Sequence, residues 1–446
     1  MDRDSAEPQV AGVPGDAARQ WVEYHHEYAA PSTYVYDFVW DHTAPAIGPF
    51  CTDVDGNVLM DFTGHVGAMP LGYNNPKILD PLAEFDLVEP TKIAGQDFYT
   101  RAGTGGDTVP DVPGPAGLME RLTDACSHYG LDTVFLSNTG AEAVENAIKI
   151  AYDHTSGKYA ITCEGAFHGR TLGALSLNRS KEIHRREFPE IPSVHDVPFC
   201  TDRACCPDTC DCGFFFAETS RLRRMVGEGG YVNPAETAYL ILEPVQGEGG
   251  YRFPSDAFMD EVAAVADAYD IPIVVDEVQS GLGRTGEMWA SDHYAIEPDV
   301  IASAKALRVG ATIASEDVFP DEQGRLSSTW GAGDILGIAQ GALTIDAIHQ
   351  YDLLDNATER GAQARELLAQ AAMSGVVDVR GKGLMLAVEW ESPDRRDAVM
   401  EAALSRGLLT MGCGRKTMRL LPPLDATPRE IRLGTGLLAE AAETAA

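Results

Sequence analysis

The sequence predicts an α/β fold, with a mainly parallel sheet in a large domain and a smaller α+β domain at the C-terminus. Three observations predict it. Strand and helix patterns alternate from Val134 to Ala302. The strands of that stretch are continuous apolar runs rather than alternating ones, as at Ile271–Val275. Beyond about Gly333 the pattern changes to long helices and then a pair of strands. Continuous apolar strands suit a sheet buried on both faces, which crossover helices provide.

Taken in order, residues 1–60 read as an N-terminal segment, 61–333 as the large domain and 334–446 as the small one. Residues 1–20 are small, acidic and interrupted by Pro and Gly, so a frayed tail is expected. Val54 and Val58–Met60 flank an Asp-Gly-Asn turn, the signal of a hairpin. Residues 101–117 are rich in breakers and read as a loop. Short strands follow at Val134–Leu136, Tyr159–Thr162, Tyr239–Leu242, Ile271–Val275 and Val300–Ala302. A helix over Gly140–Ile150 places Val144, Ala147, Ile148 and Ala151 on one stripe, and Phe258, Val262, Val265, Ala266 and Tyr269 mark another. Helices over 336–350 and 354–372, then strands around Gly383–Trp390 and Thr417–Leu420, complete the chain.

Composition excludes several classes of function. The 446 residues carry 68 acidic and 34 basic side chains, a net charge of −34. Such a surface repels phosphate backbones and anionic lipid, so neither nucleic acid nor membrane is expected as a partner. Only eight of the basic residues are lysine. An acid-rich, lysine-poor surface is of halophilic type, since salt screens the self-repulsion it creates. There is no run of 18 apolar residues, and Met1–Gly15 has neither a basic start nor an apolar core, so a cytoplasmic location is expected. Nine cysteines do not make a disulfide scaffold in a chain of this length.

In a parallel sheet, ligands sit beyond the carboxyl ends of the strands, and there the chain places its chemistry. Asp276 closes the run Ile273-Val274-Val275, where a buried carboxylate is costly unless a cation meets it; a cap on the following turn is the other reading. Lys305 ends Ile301-Ala302-Ser303-Ala304-Lys305, where one reading is a solvated lysine at a strand end and the other a buried lysine, whose depressed pKa suits Schiff-base chemistry. Ser137–Glu142 lies between a strand and a helix, offering backbone N–H groups to a phosphate. Phe167-His168-Gly169-Arg170 provides an aromatic face and a cation, and Glu243–Gly250 a glycine-rich loop with two carboxylates.

In this order, Asn138–Ala147, Phe167–Thr171, Glu243–Gly250, Asp276–Gly286, Lys305 and Ser328–Gly331 resemble the class III pyridoxal-phosphate aminotransferases, from about Gly48 to the end. The resemblance implies a type I fold and a homodimer with its active site at the subunit interface. It implies that Lys305 carries pyridoxal 5′-phosphate as a Schiff base and that Asp276 pairs with the pyridine nitrogen. Phe167 and Val278 fall on the two ring faces, and Gln279 at the ring hydroxyl. Thr139, Gly140 and Ala141 fall at the phosphate, with Thr329 of the partner subunit, while His168 and Glu243 complete the cofactor's surroundings. Many relatives have serine where Ala141 stands, so only its backbone N–H can serve. The activity implied is ping-pong transfer of an amino group to a 2-oxo acid such as 2-oxoglutarate.

In ω-aminotransferases of this class a loop glutamate pairs with a C-terminal arginine and swings away when an acceptor brings an α-carboxylate. Glu248 and Arg419 match those positions, and Arg170 matches a residue able to hold the far carboxylate. Gly412-Cys413-Gly414 and Arg380–Gly383 resemble 4-aminobutyrate aminotransferases. Lys305–Gly310 and Arg325–Gly331 resemble the 4-aminobutyrate and lysine 6-aminotransferase branch. The expected donor is 4-aminobutyrate, with lysine or ornithine as the alternative. An amino-acid racemase on the same fold would share the lysine, the aspartate and the phosphate loop, but needs no dual-substrate gate. Finally, Cys200, Cys205, Cys206, Cys210 and Cys212 fall within thirteen residues. Zinc or an iron–sulfur cluster would suit them, although paired Cys-x-x-Cys knuckles are absent; free thiols or a disulfide are the other reading.

Overall fold

The structure, a computed structural model, describes residues 1–32, 38–85, 113–202, 204–206, 210–327 and 335–445. Thr329, with the rest of Ser328–Gly331 and most of the 101–117 segment, lies outside the described residues. The chain packs as two compact units, Asp80–Leu354 and Met1–Leu79 with Asp355–Ala446.

The Asp80–Leu354 unit holds a seven-stranded sheet. Its strands are β1 (Thr133–Ser137), β2 (Tyr159–Cys163), β3 (Val194–Val197), β4 (Thr237–Leu242), β5 (Ile273–Asp276), β6 (Val300–Ser303) and β7 (Gly310–Ala314). They lie in the order β1-β7-β6-β5-β4-β2-β3. Only β7 runs against its neighbours; the other six share one direction. This mainly parallel sheet is the one expected. Five of its strands were legible as apolar runs. β3 (Val-His-Asp-Val) is an edge strand with polar positions, and β7 (Gly-Ala-Thr-Ile-Ala) is short of the β-branched and aromatic residues that mark strands.

Helix α1 (Gly140–Thr155) buries Val144, Ala147, Ile148 and Ala151, the stripe predicted, in a core with Tyr239, Val274 and Ala302. Helix α2 (Asp256–Tyr269) starts at Ser255, whose hydroxyl caps Phe258 N–H at 3.2 Å. The helix Ile335–Gln350 also belongs to this unit, packing on the helix Pro115–Ala125 and on the turn Lys305–Leu307. The division therefore falls at 354/355 rather than the expected 333/334.

The other unit joins the two ends of the chain, so residues 1–60 are not a segment apart. Its hairpin pairs Phe50–Thr52 with Val58–Asp61, leaving Val54 in the connection, where Asp53 accepts hydrogen bonds from the Asp55 and Asn57 amides. Leu408–Leu409 adds a parallel strand to it. A four-stranded sheet runs Val376–Lys382, Met385–Trp390, Thr417–Leu420 and Met411–Cys413 in space. The expected frayed tail is instead tied down. Arg3 spans two carboxylates that are nearly inaccessible, Asp425 at 2.9 Å and Glu430 at 2.8 Å, and Asp16–Tyr28 is helical. The sequence signal was a breaker-rich composition, which says nothing of a distant carboxylate pair. Among the described residues no helix is long and apolar enough to cross a membrane.

Candidate active site

The parallel direction of β1, β2, β4, β5 and β6 brings their carboxyl ends to one edge of the sheet. Each predicted device follows one of them: Thr139–Ala141 after β1, Phe167–Arg170 after β2, Glu243–Glu248 after β4, Asp276–Gln279 at the end of β5, and Lys305 after β6. Asp276 is directly opposite Ala302 in the parallel β5–β6 ladder, so it and Lys305 leave adjacent strands at the same end. The strand itself stops at Ser303, two residues before Lys305. Lys305 is half-buried and takes φ +37°, a conformation that L-residues rarely adopt.

Asp276 is buried, 5% exposed. One carboxylate oxygen faces His168 Nδ1 at 2.8 Å, and the other accepts the Val278 N–H at 3.0 Å. A carboxylate can only accept, so the imidazole proton sits on Nδ1. His168 is itself fixed, its backbone N–H donating to Asn178 Oδ1 at 2.6 Å while Asn178 Nδ2 donates to Gly169 O at 2.8 Å. Asn178 was not foreseen; a lone asparagine beyond the Phe-His-Gly-Arg motif carries no sequence signal.

Glu243 holds two loops together. Its two carboxylate oxygens accept the Phe167 N–H at 2.9 Å and the Gly247 N–H at 2.8 Å. Burial pushes this carboxyl up to about 7; His168 opposes the shift and nearby Asp276 adds to it. The folded protein thus keeps a proton that the unfolded chain releases near 4.5. The stability this group contributes is complete below that lower value and is lost as pH rises through about 7. Glu243→Gln does not titrate. Its unfolding free energy relative to the natural protein is therefore expected to improve from about pH 5 to about pH 8, by on the order of 3 kcal/mol. A flat difference across that range would place the proton elsewhere.

The helix α1 terminus is built for close approach. Thr139 is its N-cap, accepting the Glu142 N–H at 3.2 Å, while Glu142 reaches back to the Asn138 N–H at 2.8 Å. A Cβ on Gly140 would stand 2.6 Å from Val278 Cγ1, and one on Gly247 3.0 Å from the Gln279 amide. Gly169, at φ +142°, leaves no more room: a Cβ there would meet that of Ala141 at 2.9 Å. Among the described residues, Gln279 Oε1 and His168 Nε2 are buried without a hydrogen-bond partner. A glycine-lined helix terminus, a buried carboxylate and an unused acceptor fit a phosphorylated, N-protonated aromatic bearing a hydroxyl.

The remaining predicted residues are more dispersed. Phe167 is half-buried, its ring edge-on to His184 at 5.2 Å. Arg170 is exposed. Glu248 forms an ion pair with Lys181 Nζ at 2.5 Å, a partner that sequence reasoning did not name. Arg419 is buried on its strand in the other unit, with Nη2 2.9 Å from Met411 Sδ. Of the clustered cysteines, Cys200 and Cys205 are buried, Cys206 and Cys210 half-buried, and Cys212 exposed.

The chain matches the model of the family "Aminotransferase class-III" over residues 42–442. It is 31% identical over 402 residues to an acetylornithine aminotransferase of Methanopyrus kandleri, covering 89% of this chain and 93% of that one. It is 30% identical over 399 residues to a putrescine aminotransferase of Pectobacterium atrosepticum, covering 84% and 76%. A probable mitochondrial 4-aminobutyrate aminotransferase of Caenorhabditis elegans is 28% identical over 438 residues, covering 88% and 86%. Among solved structures, a lysine aminotransferase of M. tuberculosis superposes with a TM-score of 0.81 at 26% identity, covering 96% of this chain and 100% of that one. The sheet order, the strand-end site and these likenesses lead to one conclusion: the chain belongs to the class III aminotransferases, enzymes of the type I fold that work with pyridoxal phosphate.

Proposed function

We propose that the enzyme moves an amino group from an ω-amine, 4-aminobutyrate first, to a 2-oxo acid such as 2-oxoglutarate. The observation carrying this reading is that relatives over most of the chain are named for donors with a terminal amine: putrescine, 4-aminobutyrate and acetylornithine. The Gly412-Cys413-Gly414 and Arg380–Gly383 texts favour 4-aminobutyrate. Lysine or ornithine is the second reading, favoured by the Lys305–Gly310 text and the likeness to the lysine aminotransferase.

When bound, pyridoxal phosphate supplies an electron sink for the pair released as a substrate C–H bond breaks. The chain supplies the rest. Asp276 holds a proton at the ring nitrogen by its charge, and His168 and the Val278 amide hold Asp276. Lys305 Nζ would hold the cofactor covalently, and as a free amine it would be the base that moves a proton at the substrate carbon. Thr139, Gly140, Ala141 and Thr329 of the partner subunit bind phosphate. Phe167 and Val278 confine the ring, and Gln279 accepts from its hydroxyl. Glu248 and Arg419 exchange partners between a donor without an α-carboxylate and an acceptor with one, and Arg170 takes the distal carboxylate. The reading includes a cytoplasmic homodimer. Trp21, Tyr24 and Tyr28, exposed on successive turns of the helix Asp16–Tyr28, support a partner surface.

The test is a half-reaction screen. Holoenzyme is mixed separately with 4-aminobutyrate, lysine, ornithine, N-acetylornithine, putrescine and β-alanine, and loss of the visible cofactor band is followed. The expected result is fastest bleaching by 4-aminobutyrate, at least about tenfold ahead of lysine and ornithine. Faster bleaching by either of those transfers the assignment to it. Inversion of an α-amino acid without bleaching by any ω-amine would make the enzyme a racemase.

A further inference from the structure

The cysteine loop has no part in the reaction above, yet its sulfurs converge. Cys200 Sγ lies 3.1 Å from Cys205 Sγ and 3.6 Å from Cys210 Sγ, and all three lie within 4.8 Å of one another. Cys212 Sγ is 2.8 Å from that of Cys210. We propose that Cys200, Cys205, Cys210 and Cys212 bind one zinc ion as a tetrathiolate site.

Geometry selects the metal class. Four sulfurs at the zinc–thiolate distance of about 2.3 Å stand about 3.8 Å from one another at the corners of a tetrahedron. Three sulfur pairs here, Cys210–Cys212, Cys200–Cys205 and Cys200–Cys210, stand 2.8, 3.1 and 3.6 Å apart, in the range a single ion can bridge, and Cys212 joins the group through Cys210. An iron–sulfur cluster divides its cysteines among two or more irons and so spreads them more widely. A soft, tetrahedral, all-sulfur set is the preference of zinc among redox-inert cations. The Phe214 N–H, pointing at Cys212 Sγ from 3.4 Å, is the kind of backbone donor that offsets thiolate charge.

The surroundings show what such an ion would hold. The loop follows β3, and Phe199 and Phe214 at its two ends both pack their rings on Phe258 of α2, at 5.2 and 4.6 Å. All three are fully buried. The Cys200 carbonyl accepts the Ser255 N–H at 2.9 Å at the start of α2. On the other side Arg252 donates to Phe199 O at 2.8 Å and to Gln246 Oε1 at 2.9 Å, and Gln246 adjoins Gly247, whose N–H is held by Glu243. Closing the loop with a metal fixes both of its ends against α2 and, through Arg252, steadies the Glu243–Gly250 loop. The ion is structural: its ligands are all protein, and no position is left open for substrate.

The inference is independent of the amino donor. Its test begins with elemental analysis of the full-length holoenzyme, purified without chelators or metal-affinity resin and dialysed against metal-free buffer. About one zinc per chain is expected, and less than about a tenth of that in Cys205→Ser/Cys210→Ser. Because that variant could fail to fold, the natural protein is also stripped and refilled with Co²⁺ alone. The expected readout is the intense ligand-field bands of tetrahedral cobalt–thiolate coordination, abolished by competing Zn²⁺. Several results overturn the proposal: no zinc and no cobalt bands, acid-labile sulfide with iron, a disulfide mapped within 200–212 as the stable state, or undiminished zinc in the double variant.

Discussion

Lys305→Ala is expected to lower aminotransferase turnover by at least about 10⁴-fold, because the role proposed for Lys305 combines a positioned proton carrier with covalent cofactor attachment. The argument starts from the backbone. β6 ends at Ser303, and Ala304 then departs from strand geometry so that Lys305 can sit at φ +37° in a single 3₁₀ turn. Such a conformation costs on the order of 1–3 kcal/mol and persists because the surroundings hold it. Here Leu307 N–H donates to Ala304 O at 2.9 Å, Arg308 N–H to Lys305 O at 3.0 Å, and the helix Ile335–Gln350 packs on the turn. The turn lies just past the end of β6, on the strand next to the one that Asp276 closes. Borohydride reduction followed by peptide mapping checks the covalent part, with the cofactor mass expected on the Lys305 peptide of the natural protein and on no peptide of the variant. With eight lysines in the chain the map is short. Lys305→Arg keeps charge and length and should be equally inactive, which separates chemistry from folding. Label on another lysine, or turnover within about tenfold of normal in either variant, would remove Lys305 from its assigned role.

Much of this site could be read from the chain because its parts are local. An apolar run ending in Asp276, a Thr-Gly at a strand-to-helix step and a lysine after the next run each announce a strand end, and the parallel sheet brings strand ends together whatever the loops between them do. What escaped was non-local. His168 stood in a recognised motif, but that its imidazole would hold Asp276, 108 residues away, required the loop after β2 to reach past β4 to the end of β5. Asn178 and Lys181 act on His168 and Glu248 from a segment with no periodic or compositional mark. β7 escaped for a different reason: its glycine and alanines suit close packing, with a Cβ on Gly310 falling 2.3 Å from Ser137 Oγ, and so dilute the strand signal. The N-terminal tail was misread because composition reports entropy and not the buried Asp425 and Glu430 that Arg3 satisfies.

Asp276→Asn is expected to reduce kcat/KM by about 10³-fold, a loss of about 4 kcal/mol in transition-state stabilisation. The side chain keeps its volume, so the change tests charge. In the natural protein both oxygens are acceptors, one toward His168 Nδ1 and one toward the Val278 amide, and the full negative charge is held in a site where it is 5% exposed. A carboxylate is costly in such surroundings, and its two donors alone are a modest return. On the proposed reading a protonated ring nitrogen would face it, and that coupling would let the acid keep the cofactor in its electron-accepting form. Asparagine retains one acceptor and presents an NH₂ where the other stood, so a ring proton gains no charge stabilisation and either His168 or Val278 faces a donor. The loss should fall on kcat rather than KM, because the missing interaction matters as charge develops on the ring and not when substrate binds. Cofactor affinity, measured by titrating stripped protein, should weaken far less than activity. A variant in which KM alone rises, or in which kcat/KM falls less than about tenfold, would show that Asp276 is a structural cap on the β5 turn. Asp276→Glu distinguishes the two further: it restores the charge but not the spacing to His168, and should recover part of the rate if charge is what the site needs.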